Sequence, residues 1–262
     1  MRISKYLKLA KLTIIDQYTH FTEKLLSGII IAIVLFVFIH IWRAIYEGRA
    51  EIEGYTIAQM IWYLAFAEVL VLSATAGVSD VGEEVRSGSL ANTLLKPWNY
   101  LTMQFTKRIS IFFYGGISVG IIAFLAAFLL VGPLEINYYF IPLVIIGAIL
   151  ASVLDFCIVM SLGVLALWIE DTSSLEWIYD KALFILGGML VPLDFYPLWL
   201  KDILAYLPTT FMIYLPAKMF VQFDMQRFIS MAFGQVIWIV ILGSIMILLY
   251  KISIKKVSIN GG

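Results

Sequence analysis

Ionisable side chains are sparse in this chain, so their positions carry weight. One group is clustered. Glu83, Glu84 and Arg86 fall in a polar run from Asp80 to Asn99 that also holds Gly82, Gly88, Pro97 and the leucines Leu90, Leu94 and Leu95. A charged, turn-rich stretch between two long apolar segments is a place where something in the aqueous phase can take hold. Gly82 and Gly88 can bracket a short amphipathic helix, and Pro97 stops whatever helix precedes it. The three leucines would give that helix an apolar face able to dock into a groove; the plainer alternative is a solvated loop. A second group is scattered: Glu68, Asp155, Asp180 and Lys181 lie inside apolar stretches. Each costs ~2.5–3.5 kcal/mol at a bilayer centre, so each must face the protein interior or a partner. Glu68 and Asp155 are candidates for lining a route through a bundle, the alternative for each being a structural hydrogen bond. Asp180 and Lys181 are adjacent, hence splayed about a helix, and can snorkel.

Other chemistries find no foothold. His20 and His40 are isolated and form no HExxH pattern. Cys157 is the single cysteine, which excludes an internal disulfide and a Cys/His metal cluster. No catalytic site, metal site or nucleic-acid partner is expected. The chain contains no GxxxxGK[ST] phosphate loop, indeed no Gly-Lys pair, so nothing in it is built to cradle ATP.

The elements that position these residues follow from composition. Of 262 residues, 62% are hydrophobic and 14% charged, against about 25% charged in soluble domains. The chain reads as an all-α polytopic membrane protein and a single domain over 1–262. A helix crossing ~30 Å of hydrocarbon needs about 20 mostly apolar residues. Six stretches qualify: Leu25–Ala44, Ile57–Val78, Ile109–Val131, Tyr139–Trp168, Leu175–Val191 and Phe228–Tyr250. Residues 1–24 carry Arg2, Lys5, Lys8, Lys11 and Lys24, with Leu7, Ile14, Tyr18 and Phe21 at near-helical spacing. That pattern predicts a helix lying in the headgroup region rather than a cleavable signal.

Charge placement predicts orientation. With the N-terminus in the cytoplasm, the inner side holds Arg2, Lys5, Lys8, Lys11, Lys24, Arg86, Lys96, Lys107, Arg108, Lys251, Lys255 and Lys256. The outer side holds only Arg43, Arg49, Lys201, Lys218 and Arg227. Six crossings return the C-terminus to the cytoplasm, and the loop at Glu170 and Asp171 has no positive charge to add. Trp42, Tyr46, Tyr55, Trp62, Trp98, Tyr100, Tyr138, Tyr139, Trp168 and Trp177 fall near the predicted interfaces, as an aromatic belt would. Gly116 and Gly120 form a GxxxG packing signal. Residues 192–227 hold Pro192, Pro197, Pro208 and Pro216, yet are too apolar for an exposed loop. Irregular backbone at membrane depth needs protein or a water-filled cavity around it. Short re-entrant or interfacial helices broken at the prolines are expected, either as an outer lid or in a packing role.

Three features together resemble the permease subunits of ABC-2 type (type V) exporters, in the branch near daunorubicin-type drug permeases. One is six spans behind a basic amphipathic helix. Another is the run from Glu83 through Leu90 to Leu94-Leu95-Lys96-Pro97. The last is the run from Pro192-Leu193-Asp194-Phe195-Tyr196-Pro197 to Tyr206-Leu207-Pro208 and Tyr214-Leu215-Pro216. The resemblance covers nearly the whole chain. It implies a coupling helix at 79–100, with Glu83, Glu84, Arg86, Gly88, Leu90, Leu94 and Leu95 against a separate cytoplasmic ATPase that binds ATP and Mg. It also implies a second permease subunit, identical or related. On this footing the chain would export an amphipathic or hydrophobic compound across the cytoplasmic membrane of a bacterium or archaeon. Glu68, Asp155, Phe195, Tyr196, Trp199 and Phe211 would border the route. The alternatives are an ion- or proton-coupled carrier working alone, a membrane-embedded enzyme, and a non-transporting anchor.

Overall fold

The structure, a computed structural model, describes residues 2–73, 78–169 and 172–260. The end of the second expected span, at 74–77, and Glu170 and Asp171 lie outside the described residues, as do the side chains of Arg2 and Lys256. Twelve α-helices make up the described fold: α1 Arg2–Thr19, α2 Phe21–Tyr46, α3 Ile57–Leu72, α4 Val78–Arg86, α5 Ser89–Leu94, α6 Tyr100–Val131, α7 Ile141–Val164, α8 Ser173–Leu186, α9 Leu198–Leu204, α10 Pro208–Met212, α11 Tyr214–Val221 and α12 Met225–Asn260. No strand occurs among the described residues beyond an isolated bridge between Ile52 and Tyr55.

Local chemistry sets the helix ends. Thr56 and Gln59 form a capping box on α3: the Gln59 N–H donates to Thr56 Oγ1 (3.2 Å) and the Thr56 N–H to Gln59 Oε1 (3.1 Å). Asn99 caps α6 by accepting from the Thr102 N–H at 2.9 Å. That cap starts α6 well before the expected Ile109, so Lys107 and Arg108 lie within a helix of 32 residues rather than in a loop. Pro208 takes the first position of α10, where its missing N–H costs nothing. The chain bends by 76° between α9 and the α10–α11 pair.

Four stretches are long and apolar enough to cross a membrane: Phe21–Tyr46, Tyr100–Val131, Tyr138–Leu167 and Met225–Lys255. A fifth arises if the bent pair is one span. Two helices at expected spans are short. The α3 helix has 16 residues and α8 has 14, or about 24 and 21 Å at 1.5 Å per residue. The first ends at Leu72 and the second at Leu186, ahead of the expected Val78 and Val191.

Packing makes α3 the centre. Every residue from Met60 to Leu70 is buried, and α2, α6 and α11 pack around it. At Gly115 of α6 the backbones come close enough that a Cβ would meet the Ser73 backbone at 2.7 Å, so the tight approach falls at Gly115 rather than at the expected Gly116–Gly120 pair. The exposed faces of α2, α6 and α12 are rich in Ile, Leu and Phe, as suits helices solvated by lipid in a multi-pass membrane protein. The expected aromatic belt divides. Tyr138, Tyr139, Trp168 and Trp177 are exposed, but Trp42, Tyr46, Tyr55, Trp62 and Tyr100 are buried. Several of their polar tips bond inside the protein, as when the Trp62 indole N–H donates to the Gly132 carbonyl at 3.1 Å.

Candidate functional site

The polar run folds as an elbow. Gly88 separates α4 from α5 at φ +71, a left-handed conformation that glycine adopts without strain. Val81 of α4 and Leu90 of α5 are buried with Tyr100 and Met103 of α6, Phe156 and Met160 of α7 and Met246 of α12. Glu84 turns inward: its carboxylate accepts from the Tyr100 hydroxyl at 2.6 Å and from Gln104 Nε2 at 3.1 Å, with Lys107 Nζ at 3.8 Å. The expected apolar face is therefore split. Leu90 is buried, Leu94 is half-buried against the same cluster, and Leu95 is 85% exposed. Glu83, Arg86 and Gly88 lie on the exposed side. The N-terminal helix clasps the elbow's exit. Lys5 Nζ donates to the Pro97 carbonyl at 2.7 Å and lies over the Trp98 ring, whose edge meets Tyr6.

Inside the bundle, a cavity of about 490 Å3 is walled by residues of α2, α3, α6, α7, α8 and α10. Glu68 and Asp155 both line it. Asp155 is paired: its carboxylate contacts Arg108 Nη2 and accepts from the Tyr179 hydroxyl at 2.6 Å. Arg108 is 5% exposed, and its Nε and Nη1 have no partner among the described residues, nor does Ser152 Oγ, which also lines the cavity. Glu68 is 6% exposed and no hydrogen bond or ion pair holds it among the described residues. In sequence Arg108 reads as an inner-side topology charge, and nothing marks Tyr179. The long α6 explains the first, because a start at Tyr100 carries Arg108 into the bundle.

At the other end of α3, Asp194 anchors a second cluster. It accepts from the hydroxyls of Tyr55 (2.7 Å) and Tyr214 (2.8 Å) and from the ammonium groups of Lys201 (2.8 Å) and Lys218 (2.6 Å). Burial works to raise its pKa, but the bonds from Lys201, Lys218, Tyr55 and Tyr214 outweigh it and hold the carboxyl well below its ordinary value. Lys201 and Lys218, counted as topology charges, are thus engaged in an internal clasp.

The other expected route residues are dispersed. Phe195 packs against Trp42, with ring centroids 5.2 Å apart. The Tyr196 hydroxyl donates to the Ile185 carbonyl at 2.9 Å. Trp199 is 66% exposed. Phe211 covers the backbone at Gly234 and lines a separate cleft shared with Asp194. None of the four lines the central cavity. No group of three or more metal-ligating side chains is found among the described residues.

No curated protein matches the chain significantly. The resemblance carried by the elbow and the proline-rich run does extend along the sequence. Residues 24–261 match the family described as ABC-2 family transporter protein, and the chain belongs to that family, as a multi-pass membrane transport subunit.

Proposed function

We propose that this chain is the permease subunit of an ATP-driven exporter, moving an amphipathic or hydrophobic compound across the cytoplasmic membrane of a bacterium or archaeon. The observation that carries this reading is the elbow. A short hinged helix pair, packed on the ends of α6, α7 and α12, presents Glu83, Gly88 and the exposed Leu95 outward. It gives an aqueous motor a handle on three long helices at once. A separate ATPase, binding ATP and Mg, supplies the energy, since the chain carries no phosphate loop. Its movement biases a two-state bundle. A second permease, identical or related, completes the pathway.

In this reading the chain crosses the bilayer six times as one domain. The short α3 and α8 count as spans, α1 lies in the cytoplasmic headgroups, both termini are cytoplasmic, and α9–α11 form an outer re-entrant lid bordered by Phe195, Tyr196, Trp199 and Phe211. The test is a reconstituted complex. Glu83→Ala combined with Arg86→Ala should cut substrate-stimulated ATP turnover several-fold while membrane insertion is unchanged. Labelling of Leu95→Cys by an impermeant thiol reagent from outside intact cells would sink the reading.

One observation favours a second reading, a proton-coupled carrier: the buried Glu68 in the cavity, which has no hydrogen bond or ion pair among the described residues. That carrier would transport without ATP, and Glu68→Gln would abolish its pH dependence.

A further inference from the structure

In the proposed orientation five cations lie outside, against the usual bias, and three of them meet in one place. Lys201 of α9, Lys218 of α11 and Arg227 of α12 line a cleft of about 770 Å3 that also holds Asp194 and Asp224. The carboxylates are engaged. Asp194 takes four donors. Asp224 Oδ1 accepts from the Arg227 backbone N–H at 2.7 Å, which leaves its second oxygen at the exposed rim. The cations are not used up. An ammonium carries three N–H groups and a guanidinium five. Lys201 gives one, to Asp194, and its side chain stays 37% exposed. Lys218 gives two, to Asp194 and to the Tyr214 hydroxyl at 3.0 Å. The Arg227 side chain has no hydrogen bond or ion pair among the described residues. Three cations thus stand against two carboxylates, and every group left over on the cations is a donor. Another part of the lining is apolar: Phe211, Leu215, Met219 and Met231. From this cleft α12 runs on as a membrane-length helix, whose exposed side carries Ile229, Phe233, Val236 and Val240.

We infer that this cleft holds the headgroup of an anionic phospholipid, its phosphate against Lys201 and Arg227 and its acyl chains along the apolar side of α12. A phosphodiester only accepts hydrogen bonds and needs what the cleft has in surplus. The guanidinium fork can bind both charged oxygens while an ammonium adds a point charge, and a headgroup hydroxyl can donate to the free Asp224 oxygen. The volume lies within the ~300–1,000 Å3 usual for ligand sites. Chains in the leaflet keep the headgroup at high effective concentration beside the cleft, so a modest polar site suffices. A zwitterionic lipid fits less well, because its own cation would sit beside Lys201 and Arg227. The clasp is undisturbed, since the lipid takes only donors that Asp194 leaves. Binding here needs no ATPase, so it does not rest on the exporter reading.

The test uses the full chain in mild detergent. Phosphatidylglycerol and phosphatidylcholine of identical acyl chains are titrated in turn, and bound lipid is counted by native mass spectrometry. The first phosphatidylglycerol should bind at least about fivefold more tightly than phosphatidylcholine. Arg227→Gln should cut that preference about threefold and Lys201→Gln about twofold. Arg49→Gln, at an exposed cation outside the cleft, should leave it intact. Arg227 is exposed and outside the clasp, so its variant decides the matter if Lys201→Gln loosens the fold. The same phosphate without tails, sn-glycerol 3-phosphate, should bind at least about a hundredfold more weakly than the lipid. If it binds as tightly, the cleft is a site for free phosphate and the lipid assignment is overturned. Equal affinity for the two lipids, or a preference that Arg227→Gln leaves unchanged, overturns the inference outright.

Discussion

Two carboxylates, the buried Asp155 and the half-buried Asp194, are built in opposite ways. Asp194 receives four donors from two tyrosines and two lysines. Asp155 receives two, and the guanidinium that supplies one of them keeps Nε and Nη1 unpaired among the described residues. The clasp at Asp194 joins the segment before α3 to α9 and α11, so its members hold one another in a single geometry. The pair at Asp155 joins α6, α7 and α8 but leaves donors facing a cavity. Buried polar networks fix a conformation when every member is satisfied and are costly when some are not. The end at Asp194 is thus closed as a structural lock, and the cavity is left with bonding capacity that a ligand or a second helix arrangement can use.

The sharpest way to break this contrast is to remove Asp155. Asp155→Ala strands Arg108 as a lone buried cation and should cost about 3–5 kcal/mol, read as a drop in thermal midpoint in detergent. Replacing both partners by apolar groups, Arg108→Met with Asp155→Leu, should recover most of that loss. Transport in the reconstituted complex should not recover with it. If it does, the pair is only structural, and the cavity is no more functional than the clasp.

Asp194→Asn comes next, at about 2–3 kcal/mol, because the amide cannot face two ammonium groups with a charged acceptor. The pH dependence has a definite sign. Asp194 has its folded pKa depressed below the ordinary 3.8, so its contribution is fully present above that value and drains away as pH falls through it toward the folded value. The gap between the native chain and Asp194→Asn should be flat from about pH 5 to about pH 7 and shrink only in stronger acid. A gap that already closes near pH 6 would mean that the carboxyl is not held ionised by its four donors.

The contrast also marks what could be read from sequence. Apolar runs announced the long helices, and the Asp80–Asn99 run announced the elbow, because hydrocarbon tolerates few charges and Gly88 and Pro97 punctuate the chain. The proline-rich run announced the broken helices α9–α11 for the same steric reason. Partner choice was not legible. Arg108 and Asp155 are 47 residues apart, and Tyr55 and Asp194 are 139 apart; such pairs meet only through packing. In sequence the buried tyrosines match a belt, because an amphipathic ring near a span end looks the same whether its hydroxyl meets a headgroup or a carboxylate. One signal was available for Arg108: Asn99 is a strong helix cap ahead of Tyr100, and extending α6 from it would have carried Arg108 inward.

The smallest test compares single hydroxyls. Tyr179→Phe removes one of two partners of Asp155, and Tyr55→Phe removes one of four partners of Asp194. Each keeps the ring and its packing, so each change isolates one charge-assisted hydrogen bond. Where three donors remain, the carboxylate stays well solvated by protein and the loss is buffered. Where only Arg108 remains, one carboxylate oxygen is left bare at the cavity wall. Tyr179→Phe should therefore destabilise by about 1 kcal/mol more than Tyr55→Phe, a difference resolvable as a few degrees in paired melts.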